Sequence, residues 1–277
     1  MRIPRIYTPE VLALDGTVAL DAQSSRHLLS VLRLKPGAEL ILFNGFSNGN
    51  GGEYRGVLLD HRDLEQSVSP LGQTLNKNSG KKSRSTKIEK VATVSIKKFI
   101  EVNRESPLSI ELGIGISRGE RMDWVIQKST ELGVQKIIPL FTERTEVKLD
   151  GERLGKKCTH WRQIAISACE QSGRTRLPEI AEPIALADWL PEASPRFVLD
   201  PEAGTQLMAK DVKSEAKPTG VVLLVGPEGG LSESEVQQSV AKGFVGITLG
   251  PRILRTETAP LAAITQCQTL WGDLGSN

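Results

Sequence analysis

Residues 221–270 read VVLLVGPEGGLSESEVQQSVAKGFVGITLGPRILRTETAPLAAITQCQTL, and this stretch predicts the fold of the chain around it. It opens with an uninterrupted apolar run, typical of a strand in a parallel sheet that is covered on both faces. The glycine-rich turn at 226–230 ends that strand, and Ser232 followed by Glu235 has the spacing of a helix capping box. A second strand, a second glycine turn and a last helix follow. This alternation, which begins near residue 108, predicts an α/β domain.

The two glycine turns, at 226–230 and at Gly250, are predicted to follow neighbouring parallel strands. Open α/β sheets bind ligands at the carboxyl ends of such strands. Glycine lets backbone N–H and C=O groups approach a ligand without a Cβ in the way. Either turn alone could simply be a tight turn. Because the second turn leads into a segment with two arginines, Arg252 and Arg255, the pair indicates a binding site.

These residues resemble the signature of the ribosomal RNA small subunit methyltransferase E family, which combines GPEGG after a buried strand with a later segment like LGPRILRTETA. Shorter matches are TELGV at 130–134, ERT at 143–145 and EQSGR at 170–174, and the resemblance covers nearly the whole chain. It implies a C-terminal α/β trefoil-knot (SPOUT) methyltransferase domain that binds S-adenosylmethionine. The segment after Gly250 would be threaded through a preceding loop. Nothing in the residue pattern itself indicates a knot.

The resemblance also implies where the cofactor binds. Backbone groups of the two turns would hold its adenine, and Ile253 and Leu254 would pack on the faces of the ring. The predicted cofactor-binding residues are Leu199, Leu224, Val225, Gly226, Pro227, Glu228, Gly229, Leu249, Gly250, Ile253, Leu254, Thr258 and Ala259.

The implied reaction is methylation of the N3 nitrogen of a uridine in 16S ribosomal RNA, with uridine 1498 as the expected target. N3 is a poor nucleophile until its proton is lost, and positioning should supply most of the rate. An arginine near the uracil oxygens would stabilise developing charge by about 3 kcal/mol in a dry site. Arg255 is the first candidate, with Arg118 and Arg174 behind it. The base stays open between Glu257, Glu170 and water, and either glutamate could instead form an ion pair or a helix cap.

The N-terminal part, residues 1–104, is predicted to be a small β-barrel of short strands and glycine turns. Residues 26–33, RHLLSVLR, have helical spacing and match a motif of the family's PUA-like RNA-binding domain, although a plain amphipathic helix would show the same spacing. Residues 1–104 carry 16 lysines and arginines against 10 aspartates and glutamates, whereas the rest of the chain carries 19 against 23. The basic excess favours an RNA-binding N-terminal domain.

We therefore predict a PUA-like domain at 1–104 and a methyltransferase domain at 105–277. Residues 61–90 include a strongly basic stretch without periodicity, which predicts a mobile loop, either an RNA-binding arm or a plain hairpin loop. The predicted RNA contacts are Arg5, Arg26, Arg33, Arg144 and Arg174.

Composition argues against several other classes. The chain has no run of 18 apolar residues and no signal-peptide pattern, which predicts a soluble cytoplasmic protein. Its three cysteines and three histidines are scattered, so neither a disulfide framework nor a metal site is predicted. Gly113-x-Gly115 invites comparison with the dinucleotide fingerprint, but Arg118 stands in place of the third glycine, which argues against a Rossmann dehydrogenase.

The resemblance implies a homodimer whose partner is small-subunit ribosomal RNA or the assembled 30S particle. Two alternatives stay open. One is a non-enzymatic RNA-binding or ribosome-assembly protein that keeps the fold without the cofactor, against which the intact glycines of both turns argue. The other is a knotted methyltransferase acting on transfer RNA, against which the N-terminal motif argues.

Overall fold

The computed structural model describes residues 3–45, 52–60, 91–147, 151–191, 193–205 and 217–275. The chain divides into two compact units, Met1–Asn103 and Arg104–Asn277. The segment 61–90, for which the sequence predicts a basic mobile loop, lies outside the described residues.

The N-terminal unit contains a five-stranded sheet. Its strands are β1 (Arg5–Tyr7), β2 (Thr17–Ala19), β3 (Glu39–Phe43), β4 (Glu53–Leu58) and β5 (Thr93–Ile100). They lie in the order β1-β3-β4-β5-β2, with β1 parallel to β3 and the other pairs antiparallel. Apolar side chains at alternate positions, such as Leu40 and Leu42 of β3 and Val94 and Ile96 of β5, form the core of this unit.

The helical motif at 26–33 folds differently from the regular helix that its spacing predicts. A short α-helix, α1 (Ala22–Arg26), is followed directly by a π-helix at His27–Val31. Arg33 then adopts a φ of +52°, a left-handed conformation that is uncommon for residues other than glycine. Arg26 and Arg33 are both exposed.

The C-terminal unit contains a seven-stranded parallel sheet with helices. The strands are β6 (Ser109–Gly115), β7 (Lys136–Phe141), β8 (Glu179–Ile180), β9 (Ile184–Ala185), β10 (Arg196–Leu199), β11 (Gly220–Val225) and β12 (Phe244–Ile247). The helices are α2 (Glu120–Glu131), α3 (Gly151–Ser172), α4 (Glu233–Ala241) and α5 (Ala259–Trp271). The strand order is β12-β10-β11-β6-β7-β8, and β9 also pairs with β7. The sequence pattern does not predict the two-residue strands β8 and β9.

The central strand β11 is buried on both faces, as its continuous apolar run predicts. Val221, Leu223 and Val225 belong to a core that also contains side chains of α2, α3 and α5, whereas Val222 and Leu224 belong to a second core on the other face. The predicted capping box of α4 is confirmed, because Ser232 and Glu235 each accept a hydrogen bond from the other's backbone amide. No helix in the described part of the chain is long and apolar enough to cross a membrane.

The strand order corrects one prediction. The two glycine turns do not follow neighbouring strands, because β12 pairs with β10, and β10 lies between β12 and β11. Parallel strands are joined by crossovers, so their order along the chain does not fix their order in the sheet. Three strand ends, not two, therefore meet at this edge of the sheet.

Candidate active site

A cavity of about 1000 Å³ lies at the carboxyl ends of β10, β11 and β12. Its walls come mainly from residues 199–202 after β10, 225–231 after β11 and 247–257 after β12. This is the usual ligand position in an open α/β sheet, and the volume is that of a cofactor site.

A buried threonine joins the two turns that form the cavity. Thr256 is 8% exposed, and its Oγ1 donates a hydrogen bond to the carbonyl oxygen of Gly226 at 2.9 Å. The same hydroxyl lies 3.3 Å from the hydroxyl of Ser117, which follows β6. The segment after the second glycine turn is therefore fixed against the first turn, while the neighbouring side chain of Arg255 is exposed at the cavity wall.

The first turn requires glycine because of close approaches on two sides. Gly230 has a φ of +70°, which glycine adopts at low cost, and its amide donates to the carbonyl oxygen of Pro227. A Cβ on Gly226 would lie 2.8 Å from the backbone of Gly230 and Leu231. A Cβ on Gly115 would overlap the nitrogen of Pro227, so β6 has glycine where the turn packs on it.

Arg144, which follows β7, stabilises the first turn through hydrogen bonds. Its Nη1 donates hydrogen bonds to the carbonyl oxygens of Gly229 at 2.9 Å and Leu231 at 3.2 Å. The amide of Glu143 donates to Glu235 at 2.8 Å, which ties the same strand end to the cap of α4. Arg144 is exposed and lines the cavity, and its predicted contact with RNA stays a prediction.

Glu228 extends from the first turn towards the start of α2. Its Oε1 accepts hydrogen bonds from the amide of Arg118 at 2.8 Å and from Nη1 of Arg121 at 2.9 Å. Burial raises the pKa of Glu228, but these bonds and the charge of Arg121 outweigh that effect and hold the pKa below its usual value. The Nε of Arg121 also lies 3.8 Å from Oε2 of Glu257.

Most of the predicted cofactor-binding residues line this cavity. Those that do are Leu199, Val225, Gly226, Pro227, Glu228, Gly229, Leu249, Gly250, Ile253, Leu254 and Ala259. Leu224 and Thr258 do not line it. The side chain of Leu224 is fully buried in the second core because strand residues alternate between the two faces of the sheet.

The predicted catalytic residues fall into two groups. Arg255 and Glu257 line the cavity. Arg118 does not: its guanidinium pairs with Glu146 at 3.0 Å, and both side chains are 62% exposed. The backbone amide of Arg118 contacts the cavity wall through its hydrogen bond to Glu228. Arg121 lines the cavity and is not predicted from the sequence, although its place in the first turn of a helix that follows β6 is a usable signal.

The structure corrects the prediction that Arg174 contacts RNA or the substrate base. Arg174 is 4% exposed, and its Nη2 pairs with Glu105 at 2.7 Å. Its Nη1 donates to the carbonyl oxygens of Thr130 and Val134. The guanidinium of Arg174 therefore links the start of the C-terminal unit to the ends of α2 and α3. Because it is buried, it has no exposed surface for binding a phosphate.

Arg5 receives the same correction in the N-terminal unit. Its side chain is 7% exposed, pairs with Glu53, and lies over the ring of Phe43 at 4.9 Å from the centroid. A buried guanidinium that is paired and stacked stabilises the unit and does not present its charge to RNA.

None of the three cysteines lines the cavity. Cys158, Cys169 and Cys267 are buried free thiols, and burial raises the pKa of Cys267 to about 12. A thiol with a raised pKa is a poor nucleophile at neutral pH. Among the residues that the structure describes, no three His, Cys, Asp or Glu side chains are grouped so that they could hold a metal ion.

Comparison with known proteins identifies the family. A family model described as an RNA methyltransferase domain matches residues 104–268, and one described as an RNA methyltransferase PUA domain matches residues 20–63. The ribosomal RNA small subunit methyltransferase E of Buchnera aphidicola from Schizaphis graminum is 36% identical over 99% of this chain and 98% of its own. The chain belongs to the ribosomal RNA small subunit methyltransferase E family. The predicted family is thereby confirmed.

Two solved structures extend the comparison. A family member from Neisseria gonorrhoeae, bound to S-adenosylmethionine, is 37% identical, with a TM-score of 0.77 over 98% of this chain and 99% of its own. A Legionella pneumophila protein, solved with the same cofactor bound, is also 37% identical, with a TM-score of 0.82 over 99% of this chain and all of its own. An α/β methyltransferase fold with a PUA domain is therefore established for this chain.

Proposed function

We propose that this protein transfers a methyl group from S-adenosylmethionine to the N3 nitrogen of a uridine in 16S ribosomal RNA, with uridine 1498 as the target. One observation carries the proposal: the cavity at three strand ends, whose two glycine turns are joined through Thr256 and Gly226. Relatives of known structure that share the fold bind the same cofactor.

The walls of the cavity suit this cofactor. A Cβ on Gly229 would lie 3.1 Å from the Cβ of Arg144, so a side chain at this position would press on an arginine that lines the cavity. Apolar surface for the adenine ring of the cofactor comes from Leu249, Ile253 and Leu254. Charged side chains such as Asp200 suit the polar end of the cofactor. When bound, the cofactor supplies a methyl group on a positively charged sulfur, which is a good leaving group.

The chain's own residues then act on the uracil. Arg255 is exposed at the cavity wall, and no hydrogen bond or ion pair of its guanidinium is found in the described residues. We infer that it donates to O2 or O4 and stabilises the charge that develops there as N3 loses its proton. Glu257 follows on the same wall, and we propose it as the proton acceptor in preference to Glu170, which does not line the cavity.

The finer features of the family are also proposed for this chain. Between Ile247 and Thr256 the chain returns from the sheet edge to the ends of central strands β11 and β6, which supports a trefoil knot. The PUA match supports binding of ribosomal RNA or of the 30S particle by a barrel-like N-terminal unit. We infer a homodimer in the cytoplasm from the family resemblance, and light scattering in solution tests the dimer.

The reaction is tested on small-subunit RNA from cells that lack the gene. That RNA, free or assembled into particles, is incubated with the protein and S-adenosylmethionine, and its nucleosides are then mapped by mass spectrometry. We expect 3-methyluridine at one position. Methylation of transfer RNA instead, or of a position other than N3, would contradict the proposal. Failure of the cofactor to raise the melting temperature would favour the non-enzymatic alternative, because a ligand of the native state must stabilise it.

A further inference from the structure

Arg121 contacts both walls of the cavity through a single guanidinium. Its Nη1 lies 2.9 Å from Oε1 of Glu228, which belongs to the first glycine turn. Its Nε lies 3.8 Å from Oε2 of Glu257, which belongs to the segment after the second glycine turn. Because Arg121 stands in the first turn of α2, it connects both turns to a helix of the main core.

Both carboxylates pair with this arginine, and Glu228 also accepts a hydrogen bond from the backbone amide of Arg118. Both approach the same guanidinium within 4 Å, and without a cation between them their charges would repel each other. Oε2 of Glu257 is buried and accepts no hydrogen bond within the described residues, so the charge of Arg121 is what compensates it there. Loss of the cation would destabilise this partly buried carboxylate, and the segment that carries Glu257, whose side chain is 20% exposed, would move further towards water.

The other contacts of the turns do not duplicate this role. Arg144 bonds two carbonyl oxygens of the first turn. Thr256 links the backbones of the two turns directly but does not compensate either carboxylate. Arg121 alone among these three side chains carries a charge to both turns.

We propose that Arg121 is a positioning residue that holds the two glycine turns at the separation the methyl donor requires. The identity of that ligand rests on the proposed function, whereas the bracing is a property of the protein without ligand. An arginine suits the role because its planar guanidinium presents several donors in fixed directions, so one side chain can meet two carboxylates.

The bracing is tested in the cofactor-free protein by amide hydrogen exchange. We expect Arg121→Ala to exchange about tenfold faster than the parent at residues 226–230 and 252–258, since a charge-assisted hydrogen bond is lost. The matched control is Arg162→Ala, which removes an exposed arginine of α3 whose Nη2 lies 2.7 Å from Glu182. It should leave exchange in both segments unchanged. Unchanged exchange in Arg121→Ala would overturn the proposal.

Two further variants separate positioning from a loss of folding. Glu228→Gln keeps the shape of the side chain but removes one of the two charges, so exchange should rise at 226–230 more than at 252–258. Arg121→Lys keeps the cation without the planar fork and should restore part of the protection. Should Arg121→Ala fail to fold, these two variants decide, and parental exchange in Glu228→Gln together with no protection in Arg121→Lys would overturn the proposal.

Calorimetry then measures the consequence for the ligand. Arg121→Ala should bind S-adenosylmethionine about tenfold more weakly than the parent and Arg121→Lys by less, with RNA affinity unchanged in both. Equal affinity of Arg121→Ala and the parent would contradict the role of the bracing in binding. If the parent itself does not bind the cofactor, the proposed function fails, while the exchange data still decide whether Arg121 braces the turns.

Discussion

The two glycine turns of the cavity differ in how far their groups are already bonded. The first, at 226–230, is held by Thr256, by Arg144 and, through Glu228, by Arg121. The segment after the second turn is anchored at Thr256, yet the side chain of the neighbouring Arg255 is exposed. A turn with satisfied groups is suited to hold a cofactor in a fixed place, and exposed side chains are suited to meet a second substrate.

The largest effect is expected in the first turn, from Gly229→Leu. The new side chain would press on Arg144, which lines the cavity, and so disturb the proposed cofactor site. We expect S-adenosylmethionine to bind at least about 100-fold more weakly by calorimetry, with a near-parental melting curve. Gly155→Leu is the control, because a Cβ there has nothing within 4 Å. Parental affinity in Gly229→Leu would remove this turn from the site.

The next effect belongs to the second segment, in Arg255→Ala. If Arg255 stabilises charge on the uracil, the single-turnover rate should fall by about 100-fold, the usual cost of one such donor. Cofactor affinity should stay within about twofold of the parent, because the first turn is untouched. A rate equal to that of the parent would show that Arg255 is not catalytic. It would also contradict the assignment of cofactor binding to the first turn and of catalysis to the second segment. Arg162→Ala again serves as the control.

Removing the link between the regions should have a smaller effect, which Thr256→Val measures. The valine keeps the shape of the side chain but leaves the carbonyl oxygen of Gly226 without its donor. We expect the free energy of unfolding to fall by about 1–2 kcal/mol in urea titrations. Thr159→Val, whose exposed hydroxyl bonds only within its own helix, is the comparison. Equal losses in the two variants would mean that the link is not a special contact.

The smallest effect concerns pH and the first turn. The pKa of Glu228 lies below its usual value in the folded protein, so its ion pair stabilises the fold above the ordinary carboxyl pKa. That contribution is lost as the pH falls through the lowered value. Glu228→Gln should therefore be less stable than the parent at neutral pH, and the difference should shrink in acid. A difference that grows in acid would contradict this reading of the Glu228 environment.

The sequence predicts those parts of the site that depend on local pattern. The apolar run of β11, the capping box at Ser232 and the glycines of both turns are each recognisable within a few residues. The family resemblance additionally predicts that the ligand is S-adenosylmethionine. The order of the strands is not predictable in this way, because no local signal says that β12 pairs with β10.

Residues of one type could not be told apart where distant partners decide their role. Arg174 and Arg255 both stand in motifs of the family, but Glu105, 69 residues earlier in the chain, pairs with Arg174 and buries it. Gly113 and Gly115 suggest a nucleotide fingerprint, whereas their actual neighbours are Trp189 and Pro227. Such contacts join residues far apart in the chain, so the local spacing of residues cannot predict them.

A crystal structure of the protein with S-adenosylmethionine tests the central claim most directly. We predict that the donor lies at the ends of β10, β11 and β12, with its adenine against the backbone of residues 226–229 and 249–254 and its methyl group towards Arg255. A donor bound at any other place on the chain, with this cavity vacant, would contradict the account.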